Sequence, residues 1–217
     1  MVIKSYAKIN LLLKVNSKLK NGLHDIQSFF CLIDLSDKIQ IKKNQKKKDQ
    51  IKFVGPFSKF VKLKNNSVNI LLKNLRDLRL ISGHYSVTIT KNIPILAGLG
   101  GGTSNAAFLI KYLLKKKASS NLLNRFEKII GSDLKIFFKK QGFLQNLKKI
   151  KTFRKKQNFY FVLAQPKIKC STKEIYSKVK KFSKKEKFNK NMVRKKNKFL
   201  DYLSKNRNDL QFIVERK

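Results

Sequence analysis

The chain has 217 residues, with 52 Lys plus Arg against 12 Asp plus Glu, a formal net charge of +40. Hydrophobic residues make up 41% and aromatics 11%, including 17 Phe, which is apolar material for a packed core and excludes a wholly disordered basic chain. Three Pro and nine Gly exclude collagen-like and linker-like chains, and the two cysteines, Cys31 and Cys170, exclude a disulfide framework.

Taken in chain order, Val2 to Val15 reads as a strand and Ser17 to Gly22 as a turn. Ser28 to Ile33 and Lys38 to Lys42 read as two strands with a turn over Asp34 to Asp37. A charged loop runs from Lys43 to Gln50, and Ile51 to Val54 is a short strand before Gly55 and Pro56. Val68, Leu71, Leu72, Leu75 and Leu78 recur at three and four, which predicts an amphipathic helix with Asn66 or Ser67 as its N-cap. Tyr85 to Thr90 alternates like a strand. Helices follow over Ser104 to about Leu114 and Leu122 to Ile130. Phe159 to Ala164 is expected as a buried strand. Ser171 and Glu174 form a capping-box pattern that starts a helix through Val179. Lys180 to Lys198 is rich in Lys and Asn and is expected to be exposed or loosely ordered. Phe199 to Leu203 and Leu210 to Val214 read as helical. The mix is α+β.

No run of eighteen apolar residues is present, so no membrane span is expected. The N-terminal segment reads as a strand of the mature fold and not as a signal peptide, so a cytoplasmic location with reduced cysteines is expected. His24 and His84, with no C-x-x-C, do not make a structural zinc site. Only seven of the basic residues are Arg, and the rest are Lys spread along the whole chain. Arg is the residue of bidentate and stacked base contacts. The charge therefore reads first as a general Lys bias on solvated faces. An electrostatic footprint for a polyanion remains open as a second property.

Four of the nine glycines lie between Gly98 and Gly102, inside the segment Pro94 to Ala107. Glycine permits positive φ and brings bare N–H groups close to a ligand, and a helix that starts immediately afterwards adds its own unpaired N–H groups. Thr103 and Ser104 place hydroxyls at that helix start, where they suit a phosphate oxygen or a Mg²⁺ ion. No G-K-[ST] follows, so this is not a P-loop of the Walker type, and the dinucleotide fingerprint fails at Thr103. A tight turn that packs a helix onto a sheet is the plain structural alternative.

The segment P-x-x-x-G-L-G-G-G-T-S-N-A-A resembles the phosphate loop of the GHMP kinases (galactokinase, homoserine kinase, mevalonate kinase, phosphomevalonate kinase). Further pieces resemble members of that family, in the family's order: Tyr6-Ala7-Lys8-Ile9-Asn10-Leu11, Gly22-Leu23-His24-Asp25-Ile26, Gly131-Ser132-Asp133-Leu134, Ser171-Thr172-Lys173-Glu174-Ile175-Tyr176 and Asn208-Asp209-Leu210. The resemblance implies a GHMP-kinase-like two-lobed fold. An N-terminal ATP-binding domain would occupy 1–150, and 151–217 would begin a C-terminal substrate domain that is incomplete. It implies ATP-dependent phosphorylation of the 2-hydroxyl of a cytidine diphosphate-linked methylerythritol, with ATP and Mg²⁺.

On the same ground, Asp133 is implied as general base and Lys8 as its orienting cation. Pro94, Leu96, Gly98, Leu99, Gly100, Gly101, Gly102, Thr103 and Ser104 would bind the nucleotide, with Asn66 at the adenine and Ser104 on the metal. Asn10, His24, Thr172 and Tyr176 would bind the acceptor, with Tyr176 stacked on the base. The chain departs from the family pattern at Leu23, where an aromatic is usual, and lacks a third G-S-G or G-T-G motif. The implied partner is a small molecule, with no specific nucleic acid and no membrane, for a monomer or weak homodimer. A truncated, weakly active or inactive kinase relative and a Lys-rich RNA-binding protein are the alternatives.

Overall fold

The computed structural model describes residues 2–115, 118–153, 157–166 and 170–216. The chain forms two compact units that interleave in sequence. One comprises Met1–Lys8, Leu32–Ile95 and Leu99–Phe138; the other comprises Ile9–Cys31, Leu96–Gly98 and Lys139–Lys217. Neither unit has a boundary at residue 150.

Two long strands come first, β1 (Val2–Lys18) and β2 (His24–Asn44), and they pair with each other. The expected break in β2 over Asp34 to Asp37 is absent. That stretch holds neither Gly nor Pro, and no residue in it has positive φ, so nothing forces the chain to turn. In the first unit, the C-terminal half of β2 runs antiparallel to β4 (His84–Thr90), with Ile39 opposite Ile89 and Ile41 opposite Val87. The short β3 (Gln50–Val54) runs parallel to β4 on its other side. Asp37, Ile39 and Ile41 alternate inward with a period of two.

Helix α1 (Ser67–Asp77) presents Val68, Leu71, Leu72 and Leu75 to the same core, each 0–1% exposed. Helix α2 (Gly101–Leu114) contributes Ala106, Ala107, Leu109 and Ile110, and α3 (Ser120–Ile130) contributes Phe126. Truncating one such leucine to alanine costs about 2–5 kcal/mol. Asn66 caps α1, its Oδ1 accepting from the N–H groups of Val68 and Asn69 at 3.1 and 3.0 Å. After α3 a short 3₁₀ turn, Leu134–Phe138, buries Leu134, Ile136 and Phe137.

In the second unit, the N-terminal half of β2 runs antiparallel to β5 (Gln141–Asn146), which pairs with β6 (Lys149–Thr152). The sequence pattern does not announce β5 or β6. Phe29 lies opposite Phe143, with ring centroids 4.6 Å apart, and Phe199 and Phe188 complete an aromatic cluster. Among its described residues lie four short helices: α4 (Thr172–Ser177), α5 (Lys190–Arg194), α6 (Lys196–Lys205) and α7 (Gln211–Glu215).

Two expectations here are corrected. Phe159 to Ala164 forms no strand, and Tyr160 and Val162 are 95% and 99% exposed. An apolar run becomes a buried strand only where a sheet edge pairs with it, and no pairing partner for this run occurs among the described residues. The Lys-rich stretch 180–198 is not loosely ordered throughout, because Phe188 and Val193 anchor it in the aromatic core. Ser171 is the N-cap of α4, but its side chain makes no capping hydrogen bond, and the helix stops at Ser177. No helix among the described residues is long and apolar enough to cross a membrane.

Candidate active site

The glycine loop enters α2 through a left-handed residue, Gly100, with φ +69°, and Gly98 is also left-handed at +71°. The four glycines serve different ends. A Cβ on Gly100 would lie 2.7 Å from the Phe137 ring, and one on Gly101 would lie 3.1 Å from Ile93 and 3.3 Å from Lys91 Nζ. These two face the protein interior. A Cβ on Gly102 would meet only Ser67 Oγ, at 3.5 Å, and one on Gly98 would meet nothing within 4 Å. These two face open space.

The loop is tethered on both sides. The Lys8 N–H donates to the Leu99 carbonyl at 3.1 Å, and Ser67 Oγ donates to the Gly102 carbonyl at 2.7 Å. The N–H groups of Gly101, Gly102 and Thr103 begin the helix, before the first intrahelical bond, from Ser104 to the Gly100 carbonyl. Bare N–H groups at the positive end of a fourteen-residue helix are chemically suited to an anion. Pro94, Leu99 and Thr103 are half-buried around them, and Leu96 is exposed. Gly131 makes room for Thr103, since a Cβ there would lie 3.0 Å from Thr103 Oγ1.

Two expected roles do not fit. Ser104 is fully buried; its hydroxyl donates to the Tyr6 carbonyl at 2.6 Å and lies 2.8 Å from Ser5 Oγ. It staples β1 to α2 and, fully buried, is not presented to an ion outside the loop. Asn66 spends its oxygen on the α1 cap and its Nδ2 on the carbonyls of Lys62 and Leu63, which completes its hydrogen bonding without an adenine.

Lys8 and Asp133 do meet: Nζ and Oδ2 are 3.0 Å apart, with side chains 6% and 29% exposed. The stem of Lys8 runs beside Gly100, where a Cβ would come within 3.6 Å of its Cγ. Asp133 stands in the turn that follows α3, where the Leu134 N–H bonds back to the Gly131 carbonyl and the Ile136 N–H to that of Asp133. A carboxylate held by a buried ammonium thus lies in the same unit as the start of α2.

The sequence reading missed two neighbours of this group. Glu127 pairs with Lys135 at 2.7 Å, yet burial pushes its carboxyl up against the pull of Lys135, and the charge of Asp133 adds to the rise. Asp37 binds Lys91 beneath the loop and accepts from the N–H groups of Asn92 and Ile93 at 2.8 and 2.9 Å. The signal for Asp37 was present: an acid on the inward face of a strand, in step with Ile39 and Ile41.

In the second unit, the His24 and Tyr176 rings lie 5.2 Å apart, tilted by 35°, and Phe182 joins them at 6.4 Å from His24. Phe182 was not anticipated. Burial, and then the charge of Lys18, lower the His24 pKa, which favours a neutral ring with one donor and one acceptor nitrogen. Asn10 Oδ1 accepts from Ser28 Oγ at 3.1 Å. Thr172 is exposed, and so is Leu23.

A family model, GHMP kinases N terminal domain, matches residues 66–132, which hold the cap of α1, the whole glycine loop and α2. The chain is 42% identical over 187 residues to the 4-diphosphocytidyl-2-C-methyl-D-erythritol kinase of Pelagibacter ubique, covering 84% of this chain and 66% of that one. It is 36% identical over 185 residues to the kinase of the same name from Persephonella marina, covering 82% and 65%. Among solved structures, a 4-(cytidine 5'-diphospho)-2C-methyl-D-erythritol kinase superposes with a TM-score of 0.65 at 20% identity, covering 100% of this chain and 78% of that one. The Methanococcus jannaschii mevalonate kinase gives 0.53 at 20% identity, covering 97% and 74%. These two likenesses are of fold. The chain belongs to the GHMP kinase family. Within it, the sequence is similar to the 4-diphosphocytidyl-2-C-methyl-D-erythritol kinases, and it spans about two thirds of the length of those relatives, 66% and 65% for the two above.

Proposed function

We propose that this chain carries the activity its sequence relatives are named for, ATP-dependent phosphorylation of 4-diphosphocytidyl-2-C-methyl-D-erythritol at its 2-hydroxyl. The observation that carries the reading is the Lys8–Asp133 pair, 3.0 Å long, in the same compact unit as the glycine loop. Transfer of a phosphoryl group to an alcohol asks for positioning, charge stabilisation and a base for the hydroxyl proton. ATP supplies the phosphoryl group when bound. The N–H groups of Gly101, Gly102 and Thr103 hold phosphate oxygens, while Gly98 and Gly102 leave the approach open. Asp133 takes the hydroxyl proton on its carboxylate. Lys8 orients that carboxylate through their ion pair, and adds positive charge where negative charge develops.

The acceptor's cytosine is read by His24 and Tyr176, with Phe182 extending their aromatic surface. A neutral His24 matches a base edge that offers both donors and acceptors. Asn10 and Thr172 contact the hydroxyls. In functional terms 1–150 is then the ATP-binding part and 151–217 the start of a substrate part, in a cytoplasmic monomer or weak homodimer without a specific nucleic-acid partner.

The test is direct. The purified chain is incubated with ATP and either 4-diphosphocytidyl-2-C-methyl-D-erythritol, mevalonate or homoserine, and products are identified by mass spectrometry. The phosphorylated cytidine compound alone is expected. Turnover of another alcohol in its place, or binding of neither ATP nor the cytidine substrate, would overturn the reading.

A further inference from the structure

Among the described residues, two lysines are buried, Lys8 and Lys91, at 5% and 2% exposure. In a chain with so many lysines, burial separates these two from the rest, because a buried ammonium is costly without a partner. Each has an aspartate: Asp133 for Lys8 and Asp37 for Lys91. Each also lies under a glycine of the loop. The Cβ position of Gly100 is 3.6 Å from Lys8 Cγ, and that of Gly101 is 3.3 Å from Lys91 Nζ. The proposed mechanism uses Lys8 and leaves Lys91 without a role.

We propose that Lys91, held by Asp37, is a positioning residue for the triphosphate. It lies beneath the start of α2, sets the path of the glycine loop and adds fixed positive charge behind the anion site. The proposal rests on the ATP-binding reading above. Lys91 is too deeply buried to touch a ligand, so it acts through the loop and through space.

Two observations support it. The Asp37 carboxylate binds the Lys91 ammonium and also accepts from the N–H groups of Asn92 and Ile93, the residues that lead into Pro94 and the loop. The pair therefore fixes where the loop departs from β4. The ammonium, and not the carboxylate, is among the atoms nearest the Gly101 Cβ position, so the pair turns its positive end toward the helix start. A cation at the positive end of a helix is unfavourable by itself. Asp37 offsets that cost in the free protein, and an anion on the loop would reverse its sign. A purely structural pair has no reason to place its cation there.

The experiment compares the wild-type chain with the double variant Asp37→Asn/Lys91→Met, which removes both charges and leaves neither partner buried alone. Calorimetry measures affinity for a non-hydrolysable ATP analogue and for adenosine, which carries no phosphate. The double variant is expected to bind the analogue about tenfold more weakly while adenosine is unchanged, since only the charged ligand feels the lost cation. An unchanged ratio of the two affinities in a folded double variant would overturn the proposal. If the double variant does not fold, the wild-type chain carries the test. Pyrophosphate titration should shift the Lys91 ammonium resonance, assigned with Lys91→Arg, together with the Gly101 and Gly102 amides. Shifts at the amides alone would sink the idea. If wild-type protein binds neither ATP analogue nor adenosine, the ATP reading itself has failed, which is a different result from an unchanged ratio.

Discussion

Asp133 and Lys8 carry the proposed chemistry in two side chains, and their geometry makes separable predictions. Asp133→Asn keeps the size of the side chain and its turn, but removes the proton acceptor. Loss of a general base lowers turnover by about a hundred- to ten-thousand-fold. The expected outcome is that loss in kcat in a folded protein with nucleotide affinity little changed, and a lowered melting temperature because the buried Lys8 ammonium loses its carboxylate. A variant with wild-type turnover would remove Asp133 from the mechanism. Lys8→Met leaves Asp133 without its cation and should lower kcat as well. Neither role could be read from the residue alone. Lys8 is one lysine in a chain full of them, and only the resemblance of its strand, and then its burial against Asp133, singles it out. Ser104 taught the opposite lesson: a hydroxyl at a helix start suits a metal on paper, but this one faces inward and bonds the Tyr6 carbonyl. Sequence spacing says which residues start a helix; which way the second of two adjacent hydroxyls points depends on the strand packed behind it.

At the scale of elements, the phosphate loop is a turn whose glycines divide into two kinds. Gly100 and Gly101 are there for the interior, since added side chains would strike Phe137 and Ile93. Gly98 and Gly102 are there for the outer side. Gly102→Val is therefore expected to fold and melt near the wild-type temperature while losing most of its affinity for the ATP analogue. Gly100→Ala, at φ +69° and with a contact of 2.7 Å, is expected to lower stability by about 1–3 kcal/mol first. Thermal melts and calorimetry on both variants decide it; a Gly102→Val protein with unchanged affinity would return the loop to a packing turn.

Helices were the legible elements. The three-and-four spacing of Val68, Leu71, Leu72 and Leu75 and the Asn66 cap are local signals, and both appear as expected. Strands were legible only in part. The absence of Gly and Pro between Ile33 and Lys38 is the feature that should have joined the two halves of β2. Phe159 to Ala164 has the composition of a core strand, but strand pairing is non-local, and sequence composition does not say whether a partner edge exists. β5 and β6 were missed for the same reason: β5 gains its order from Phe29 and Phe30 opposite it in β2, and β6 from its pairing with β5.

Over the whole molecule the dominant physical fact is a formal charge of +40 on 217 residues. Among the described residues the buried lysines are two, Lys8 and Lys91, so the excess lies on exposed and half-buried faces. Such a charge repels itself, and the repulsion is screened by salt with a Debye length of about 8 Å at physiological ionic strength. Two outcomes are expected. The melting temperature should rise as sodium chloride is raised from low to physiological concentration, whereas sucrose at matched osmolality should not reproduce the salt dependence. RNA and DNA should bind at low salt without regard to sequence. That affinity should fall by about a thousandfold or more between 50 and 200 mM salt, because counterion release is then its main source. The composition supports this outcome over specific recognition: the basic excess is Lys, a point charge on a flexible stem, and only seven Arg are present for bidentate base contacts. Filter binding across a salt series with several unrelated RNA sequences measures both the slope and the selectivity. Tight binding to one sequence that persists at physiological salt would mean that the charge has a dedicated partner, and would place nucleic-acid recognition beside the kinase chemistry.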